Sequence, residues 1–332
     1  MKLKRWVMLA ASLLLTGLGS VNAWADYPER PITLVVPYPA GGPSDKVARD
    51  LAEALRAPLG GATIVIENVG GAGGMLGHDK VARARNDGYT LLLAHIAMAT
   101  LPALYRKLPY NTLNDFEYLG LFSEVPMVLI GRPDLPADSF SALVQWMAAK
   151  AAKSDEANMA HSGLGSASHL CGLLFQQQLK LKVVTVPYKG TGPAMVDLLG
   201  GQVDIMCDQT SKATVQIEAG KVKAFAVSTP QRVDSPALRQ LPTMNEAGLP
   251  GFNVSVWQGL YAPKGTPASV ISKLNAALKE AMNNPEFVSR QRAMGAVIIH
   301  DARSNPAEHK KFVAAEIAKW GAIIRQAGQY AD

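Results

Sequence analysis

Four glycine-rich turns, each at the end of a short apolar segment, constrain the fold of this chain most strongly. They read AGG at 40–42, GGAGG at 70–74, GLG at 163–165 and KGTG at 189–192. The apolar segments alternate with segments of helical periodicity, which indicates an α/β architecture. Ligands of open α/β sheets bind beyond the carboxyl ends of the strands, so we expect these turns to lie around one cleft that recognises a ligand.

The first turn lies in VVPYPAGGPSD, residues 35–45, and predicts an anion site. Gly41 and Gly42 have no Cβ to keep a ligand away from the backbone. The helix that follows has N–H groups without intrahelical partners, and these carry partial positive charge. An ordinary connection between a strand and a helix is the alternative interpretation.

The hydrophobic periodicity predicts the elements around the turns. Strands are expected at 32–38, 63–67, 90–95, 127–131, 183–187, 203–207, 224–228 and 254–263. Helices are expected at 44–56, 75–85, 141–150, 166–179, 193–199, 267–283 and 306–326, with an interruption at Pro285. No low-complexity linker or internal repeat divides the chain.

Residues 1–25 are predicted to be a cleaved signal peptide. Three basic residues precede a mostly apolar run, and Ala23-Trp24-Ala25 fits an A-x-A cleavage site after Ala25. The apolar run, residues 6–17, is short for a membrane span, so a retained anchor is the weaker alternative. We therefore expect an exported protein of about 300 residues, enough for one large domain or two lobes.

The charge balance argues against a nucleic-acid partner. The formal net charge is +6, and removing a leader with three Lys or Arg and no acid would leave +3. No basic run is interleaved with aromatic residues. An oxidising compartment would permit a disulfide between Cys171 and Cys207, and two free buried thiols are the alternative.

The sequence carries no recognisable catalytic motif. It has no G-x-S-x-G, S-x-x-K, H-E-x-x-H or Walker A pattern, and its six histidines are scattered. The G-x-G-x-x-x-G spacing at 71–77 departs from a dinucleotide loop, so we expect neither a cofactor nor a metal. His95, His161 and His169 are interpreted as pocket-wall residues or, less simply, as general bases. Asp45 is interpreted as a helix cap or first-turn acid.

Seven sequence blocks together resemble one receptor family. They are YPERPITLVVPYPAGGPSD, ENVGGAGG, NDGYTLLL, SGLGSASHL, VPYKGTGPAMVDLLGGQVD, LPTMNEAGLPGF and WQGLYAPKGTP. In this order they resemble the Bug-type (TctC-like) periplasmic solute-binding receptors of tripartite tricarboxylate transporters. SASHLCGLLF, MCDQT and the ending GQYAD resemble the aspartate-binding BugD branch. The turn PYPAGG departs from the usual family pattern of the first loop.

The resemblance implies a two-lobe flytrap of the type II periplasmic-binding-protein fold, with a mixed sheet flanked by helices in each lobe. Lobe 1 would hold residues 26–126 and 248–332, and lobe 2 would hold residues 127–247. The expected protein is a monomer that delivers its solute to membrane permease subunits. A sensor for a signalling partner is an alternative, and an exported hydrolase is disfavoured because the sequence offers no nucleophile.

The resemblance also implies that main-chain groups and ordered waters bind a ligand carboxylate between the lobes. Taken together with the residues singled out above, it gives these predicted ligand-binding residues: Tyr38, Ala40, Gly41, Gly42, Ser44, Asp45, Gly71, Ala72, Gly73, Gly74, His95, Ser162, Gly165, Ser166, His169, Tyr188, Gly190, Thr191 and Asp208. Trp257 is interpreted as pocket lining or core.

Asp208 suggests which solute is bound. A dicarboxylate next to its side chain would meet a like charge, whereas the ammonium group of an acidic amino acid would be attracted. We therefore expect aspartate, then glutamate, with other dicarboxylates, tricarboxylates or aromatic carboxylates as alternatives. Capping of the following helix is the alternative role of Asp208.

Overall fold

The computed structural model describes residues 27–328, 330 and 331. The predicted signal peptide and its cleavage site lie outside the described residues. The strands are β1 (Ile32–Val36), β2 (Ile64–Asn68), β3 (Thr90–Ala94), β4 (Phe116–Gly131), β5 (Asn158–His161), β6 (Val184–Pro187), β7 (Ile205–Gln209), β8 (Lys223–Val227), β9 (Ser255–Pro263) and β10 (Val297–Ile298). The helices are α1 (Pro43–Arg56), α2 (Met75–Ala82), α3 (Ala97–Leu104), α4 (Phe140–Ala151), α5 (Ala167–Leu179), α6 (Thr191–Leu199), α7 (Thr210–Glu218), α8 (Ala268–Met282), α9 (Pro285–Ala293) and α10 (Pro306–Ala327).

Two groups of strands share the long strand β4. In the first group the order is β2-β1-β3-β9-β4, and β10 pairs with β4 as well. Strand β1 is parallel to β2 and β3, whereas β9 is antiparallel to β3 and β4. In the second group β7, β5 and β6 run parallel, and β4 is antiparallel to β7 and β8. The predicted mixed α/β architecture is confirmed.

Strand β4 changes its partner within one step of the chain. Pro126 is the last residue that pairs with β9, opposite Ser255, and Met127 is the first that pairs with β7, opposite Gln209. Proline has no N–H to donate to a ladder, so it suits a position where one ladder ends. The chain therefore passes from one group of strands to the other inside a continuous strand.

Helix α1 shows how the sequence pattern attaches a helix to the first group of strands. Val47, Leu51 and Leu55 recur at four-residue spacing on one face, and each is at most 5% exposed. They belong to one core cluster with Leu34 of β1 and Leu91 of β3. This packing fixes the N-terminus of α1 at the carboxyl end of β1.

Five elements of the structure were not predicted from the sequence, namely helices α3, α7 and α9 and strands β5 and β10, and strand β4 was predicted only in part. Helix α3 follows β3 directly, helix α7 follows β7, and β4 begins eleven residues before the predicted strand at 127–131. Helix α9 begins at Pro285, which therefore opens a helix rather than merely interrupting one. Most of the other predicted elements lie within a few residues of the observed ones.

Trp257 belongs to the core. Its side chain is 1% exposed, and its ring packs edge-on against Phe312 with centroids 5.3 Å apart. It lies on β9 next to Val256, which lines the cavity described below. The core interpretation of Trp257 is therefore the correct one, and the residue is one position away from the candidate site.

Candidate functional site

A cavity of about 280 Å³ lies where the carboxyl ends of β1, β3, β5 and β7 meet. A larger groove of about 450 Å³ lies between α1 and α9, but no predicted ligand-binding residue lines it. The smaller cavity has the position that open α/β sheets use for ligands, and both groups of strands contribute to it. It is the candidate site.

The structure brings only some of the predicted residues to the cavity wall. Those that line it are Tyr38, Gly73, His95, Ser162, Gly165, Ser166, Thr191 and Asp208. The predicted residues that do not line it are Ala40, Gly41, Gly42, Ser44, Asp45, Gly71, Ala72, Gly74, His169, Tyr188 and Gly190. Several of this second group have hydrogen bonds that give them another role.

The first turn contains its own carboxylate, the side chain of Asp45. Asp45 Oδ2 accepts the N–H of Gly41 at 2.9 Å and the Nε–H of Arg49 at 3.0 Å, and its Oδ1 accepts from Arg49 at 3.1 Å. The hydrogen bond from Arg49 is the largest cause that lowers the pKa of Asp45. Asp45 is thus the predicted first-turn acid, and its carboxylate binds an amide that the sequence offered to a ligand.

The second turn approaches the first through Tyr38. Gly74 has a φ of +106°, and a Cβ at this position would lie 3.1 Å from the Tyr38 hydroxyl. Gly73 also has positive φ and lines the cavity beside α3. Glycine is required at Gly74 for both reasons, because its backbone is left-handed and it lies against a side chain.

Tyr38 and His95 form one stacked pair on this wall. Their ring centroids are 4.5 Å apart with planes inclined by 14°, and the Tyr38 hydroxyl lies 3.3 Å from His95 Nδ1. The same Nδ1 accepts the N–H of Ala97 at 3.2 Å, so we assign the imidazole proton to Nε2. Burial lowers the pKa of His95 to about 4. His95 is therefore a neutral hydrogen-bond donor at pH 7.

The opposite wall is the loop between β5 and α5. Ser166 caps α5, since its Oγ accepts the N–H of His169 at 3.2 Å and donates to the Gly163 carbonyl at 2.7 Å. The N–H of Gly165 donates to His169 Nδ1 at 3.2 Å, and that of Gly163 donates to His161 Nδ1 at 3.3 Å. His161 and His169 thus each stabilise this loop by accepting one of its backbone N–H groups.

Asp208 is the acidic residue of the cavity wall. It is fully buried at the end of β7, and Oδ1 accepts the N–H of Gln209 at 2.8 Å. No hydrogen-bond partner of Oδ2 is found among the described residues. Burial raises the pKa of Asp208 to about 6, so the carboxyl group is mostly ionised at pH 7. Helix α7 has no side-chain cap, which removes the capping role considered above.

Four helices begin at the cavity wall. Ala97, Ala167 and Thr191 open α3, α5 and α6, and Gln209 precedes α7; all four line the cavity. No Lys or Arg is present among the described lining residues. An anion in this cavity would therefore interact with N–H groups, hydroxyl groups and helix dipoles instead of a cationic side chain.

Much of the apolar wall was missed from the sequence. Helix α3 contributes Thr100, Leu101 and Leu104, and Tyr105 follows them. Every residue of α3 except Pro102 and Ala103 is buried, so its sequence has no polar face to mark it as a helix. Its position directly after the β3 strand was the signal that could have indicated a wall.

Three further properties of the described residues concern metal binding, membrane insertion and the state of the cysteines. Within 27–328, 330 and 331, no three His, Cys, Asp or Glu side chains are grouped so that they could hold a metal ion. A search of the same part of the chain finds no helix with the length and apolar character needed to cross a bilayer. Cys171 of α5 and Cys207 of β7 are joined in a disulfide, so the free-thiol alternative is wrong.

Comparison with known proteins identifies the family. The family model described as tripartite tricarboxylate transporter family receptor, TctC, matches residues 47–329. The chain belongs to the TctC family. The resemblance inferred from the seven sequence blocks is confirmed, and the family consists of solute-binding receptors rather than enzymes.

Individual TctC relatives match over nearly the whole chain. A UPF0065 protein of Agrobacterium vitis, from the TAR-I ttuE-ttuC' intergenic region, is 44% identical over 93% of this chain and 87% of its own length. The periplasmic binding protein BugD is 45% identical, with a TM-score of 0.75 over 92% of this chain and 99% of its own. MatC of Rhodopseudomonas palustris, solved with bound malate, is 38% identical, with a TM-score of 0.74 over 90% of this chain and all of its own.

Proposed function

We propose that this TctC receptor captures an acidic amino acid, with aspartate as its main ligand, and delivers it to the permease of a tripartite transporter. The proposal rests on the environment of the Asp208 side chain. It is a buried and mostly ionised carboxylate whose Oδ2 has no partner among the described residues, in a cavity lined otherwise by neutral groups. An ammonium group on the ligand would satisfy that oxygen.

The sign of the charge interaction distinguishes the solutes. Two unit charges 4 Å apart interact by about 4 kcal/mol at an effective dielectric constant of 20. A dicarboxylate without an amino group would be repelled by Asp208 with an energy of this size, whereas the ammonium group of aspartate would be attracted by a similar amount. The preference of the cavity for aspartate over succinate follows from this one side chain.

The ligand carboxylates would bind the neutral donors. His95 offers Nε2–H, Ser162 lines the wall, and the helix beginning at Ala167 offers N–H groups. Waters between these groups and a carboxylate are nearly as favourable enthalpically as direct hydrogen bonds. Such an arrangement binds a carboxylate firmly without a buried arginine.

A dicarboxylate such as malate is the second candidate. The MatC structure, a relative with 38% identity, was solved with malate, and this observation favours a hydroxy acid. In this chain a second ligand carboxylate near Asp208 would require the Asp208 carboxyl to be protonated. Its pKa of about 6 makes that form accessible below neutral pH.

Isothermal titration calorimetry tests the choice. The mature protein and its Asp208→Asn variant are titrated at pH 7.5 with aspartate, glutamate, succinate and malate. We expect the wild type to bind aspartate at least tenfold more tightly than succinate, and the variant to lose most of that ratio. Tighter binding of succinate or malate by the wild type would contradict the aspartate proposal while leaving the receptor class intact.

We further propose that the two groups of strands are the cores of two lobes that close on the ligand. The boundaries are residues 26–126 and 248–332 for lobe 1 and 127–247 for lobe 2. The change of partner between Pro126 and Met127 supports the first crossing. We also propose that the chain is exported with cleavage after Ala25 and acts as a monomer in the periplasm.

A further inference from the structure

The chain after the last helix returns to the candidate site. Helix α10 ends at Ala327, and Gly328 follows it with a left-handed φ of 65° that turns the chain. Three residues later, Ala331 lines the same cavity as Asp208 and His95. Ala331 of the sequence motif GQYAD, singled out by its resemblance to the BugD branch, is therefore part of the site region.

Two contacts attach this tail to the end of α3 and to the segment that follows it. The N–H of Ala331 donates to the carbonyl of Leu104 at 2.8 Å. The Arg106 guanidinium lies over the Tyr330 ring, 5.0 Å from its centroid. Leu104 lines the cavity too, so the tail is tied to a residue of the wall.

The loop before α5, on the opposite wall of the cavity, also contacts the end of α3. A Cβ on Gly165 would lie 2.3 Å from Leu104 Cδ1, so the loop before α5 touches the end of α3 closely enough to require glycine. Gln177 of α5 also donates to the side-chain carbonyl of Gln326 in α10 at 2.7 Å. Gly165, Leu104 and Ala331 thus meet from three distant parts of the chain and all line the cavity.

This junction is apolar. Leu101, Leu104, Leu164 and Ala331 line the cavity there, whereas the charged lining residue is Asp208. A ligand carboxylate next to these side chains would lose its hydrating waters and gain no hydrogen bonds in exchange, whereas methylene groups would pack favourably on them. The junction therefore disfavours a charged ligand end that reaches it.

We propose that Ala331, with Tyr330 beside it, forms the apolar end wall of the ligand cavity and limits the chain length of the carboxylate that is bound. This inference rests on the proposed function, since it assigns the tail to the same cavity. With the tail in place, we expect adipate to bind less tightly than succinate, because its second carboxylate would reach the apolar side chains at this end. Removing the tail opens the cavity at that end.

The first test compares ligands of increasing length. The wild type and a variant truncated after Gly328 are titrated by calorimetry with succinate, glutarate and adipate. We expect truncation to raise the affinity ratio of adipate to succinate at least tenfold. Tyr330→Ala, which removes the ring held by Arg106, should raise the ratio less, and Tyr330→Phe should leave it unchanged. An unchanged ratio on truncation overturns the length limit.

The second test needs no ligand. Cys171 and Cys207 are disulfide-bonded and the sequence has no other cysteine, so Leu101→Cys introduces a single reactive thiol in the cavity. We expect iodoacetamide to alkylate it at least fivefold faster after truncation, whereas Thr191→Cys on the opposite wall reacts at the same rate with or without the tail. If truncation leaves the alkylation rate of Leu101→Cys unchanged, the proposal that the tail forms a wall of the cavity is wrong. Faster alkylation with no carboxylate bound by either protein would support the wall and contradict the proposed function.

Discussion

The disulfide between Cys171 and Cys207 joins helix α5 to strand β7 one residue before Asp208. Beside it, the Ser168 hydroxyl donates to the Cys207 carbonyl at 2.6 Å. The cross-link and this hydrogen bond hold two parts of the candidate site together, since Ser168 and Asp208 both line the cavity. The position of Asp208 thus depends on a covalent bond as well as on packing.

Removing the disulfide should destabilise the protein. The cysteines are 36 residues apart, and closing a loop of this size stabilises a fold by about 3–4 kcal/mol in the chain-entropy model. The Cys171→Ala, Cys207→Ala double variant should show a loss of this order in urea denaturation. Equal unfolding midpoints for the two proteins would contradict this assignment.

Aspartate binding should weaken at acidic pH. Because the pKa of Asp208 is raised to about 6 by burial, about nine-tenths of the carboxylates are protonated at pH 5 and cannot pair with an ammonium group. We expect the affinity for aspartate to fall about tenfold between pH 7.5 and pH 5 in calorimetry. Asp208→Asn is the matched control and should bind aspartate weakly with little change over this range. A flat profile for the wild type would show that Asp208 does not contact the ligand.

Gly165→Ala should destabilise the junction of the two walls. The residue has a φ of +74°, and the new Cβ would lie 2.3 Å from Leu104 Cδ1. A left-handed non-glycine residue costs about 1–2 kcal/mol, and displacement of Leu104 adds to it. In urea denaturation the variant should lose about 1–3 kcal/mol. The control Gly192→Ala has no positive φ and no atom within 4 Å of its Cβ, so it should be neutral or slightly stabilising.

The unliganded protein should lose stability as the pH falls below 6.5. Burial lowers the pKa of His78 and His309 to about 3 and that of His95 to about 4. The unfolded chain binds protons at these histidines near pH 6.5 while the folded chain does not, so the free energy of unfolding falls by about 1.4 kcal/mol per pH unit for each. Asp208, whose pKa is raised, partly offsets this loss.

Urea denaturation from pH 7 to pH 4.5 measures that slope. His309→Gln should reduce it by about one proton's contribution, or about 1.4 kcal/mol per pH unit. His309 accepts the Gly120 N–H at 3.1 Å, so the variant is also less stable at pH 7, and the slope rather than the absolute value is the readout. A wild-type slope near zero would contradict the buried neutral state.

The sequence was informative where glycine and helix-opening residues recur. The turns at 163–165 and 70–74 supply Gly165 and Gly73 to the cavity, and the acid at Asp208 was identified as part of the wall. These features are local, because positive φ and the residues that open a helix are visible in a few neighbouring letters.

Three features could not be predicted from the local sequence. The Gly41 amide is bound by Asp45, and only the three-dimensional turn shows that this carboxylate folds back onto it. The contributions of Leu104 and Ala331 depend on a contact across more than two hundred residues of chain. Helix α3 lacks a polar face because it is buried, so its periodicity is hidden.

A crystal structure of the mature protein with aspartate would test the central claim most directly. We predict the ligand ammonium within hydrogen-bond distance of Asp208 Oδ2 and the carboxylates at His95 Nε2 and the N-terminus of α5. A ligand carboxylate against Asp208, or density for aspartate outside this cavity, would contradict this prediction.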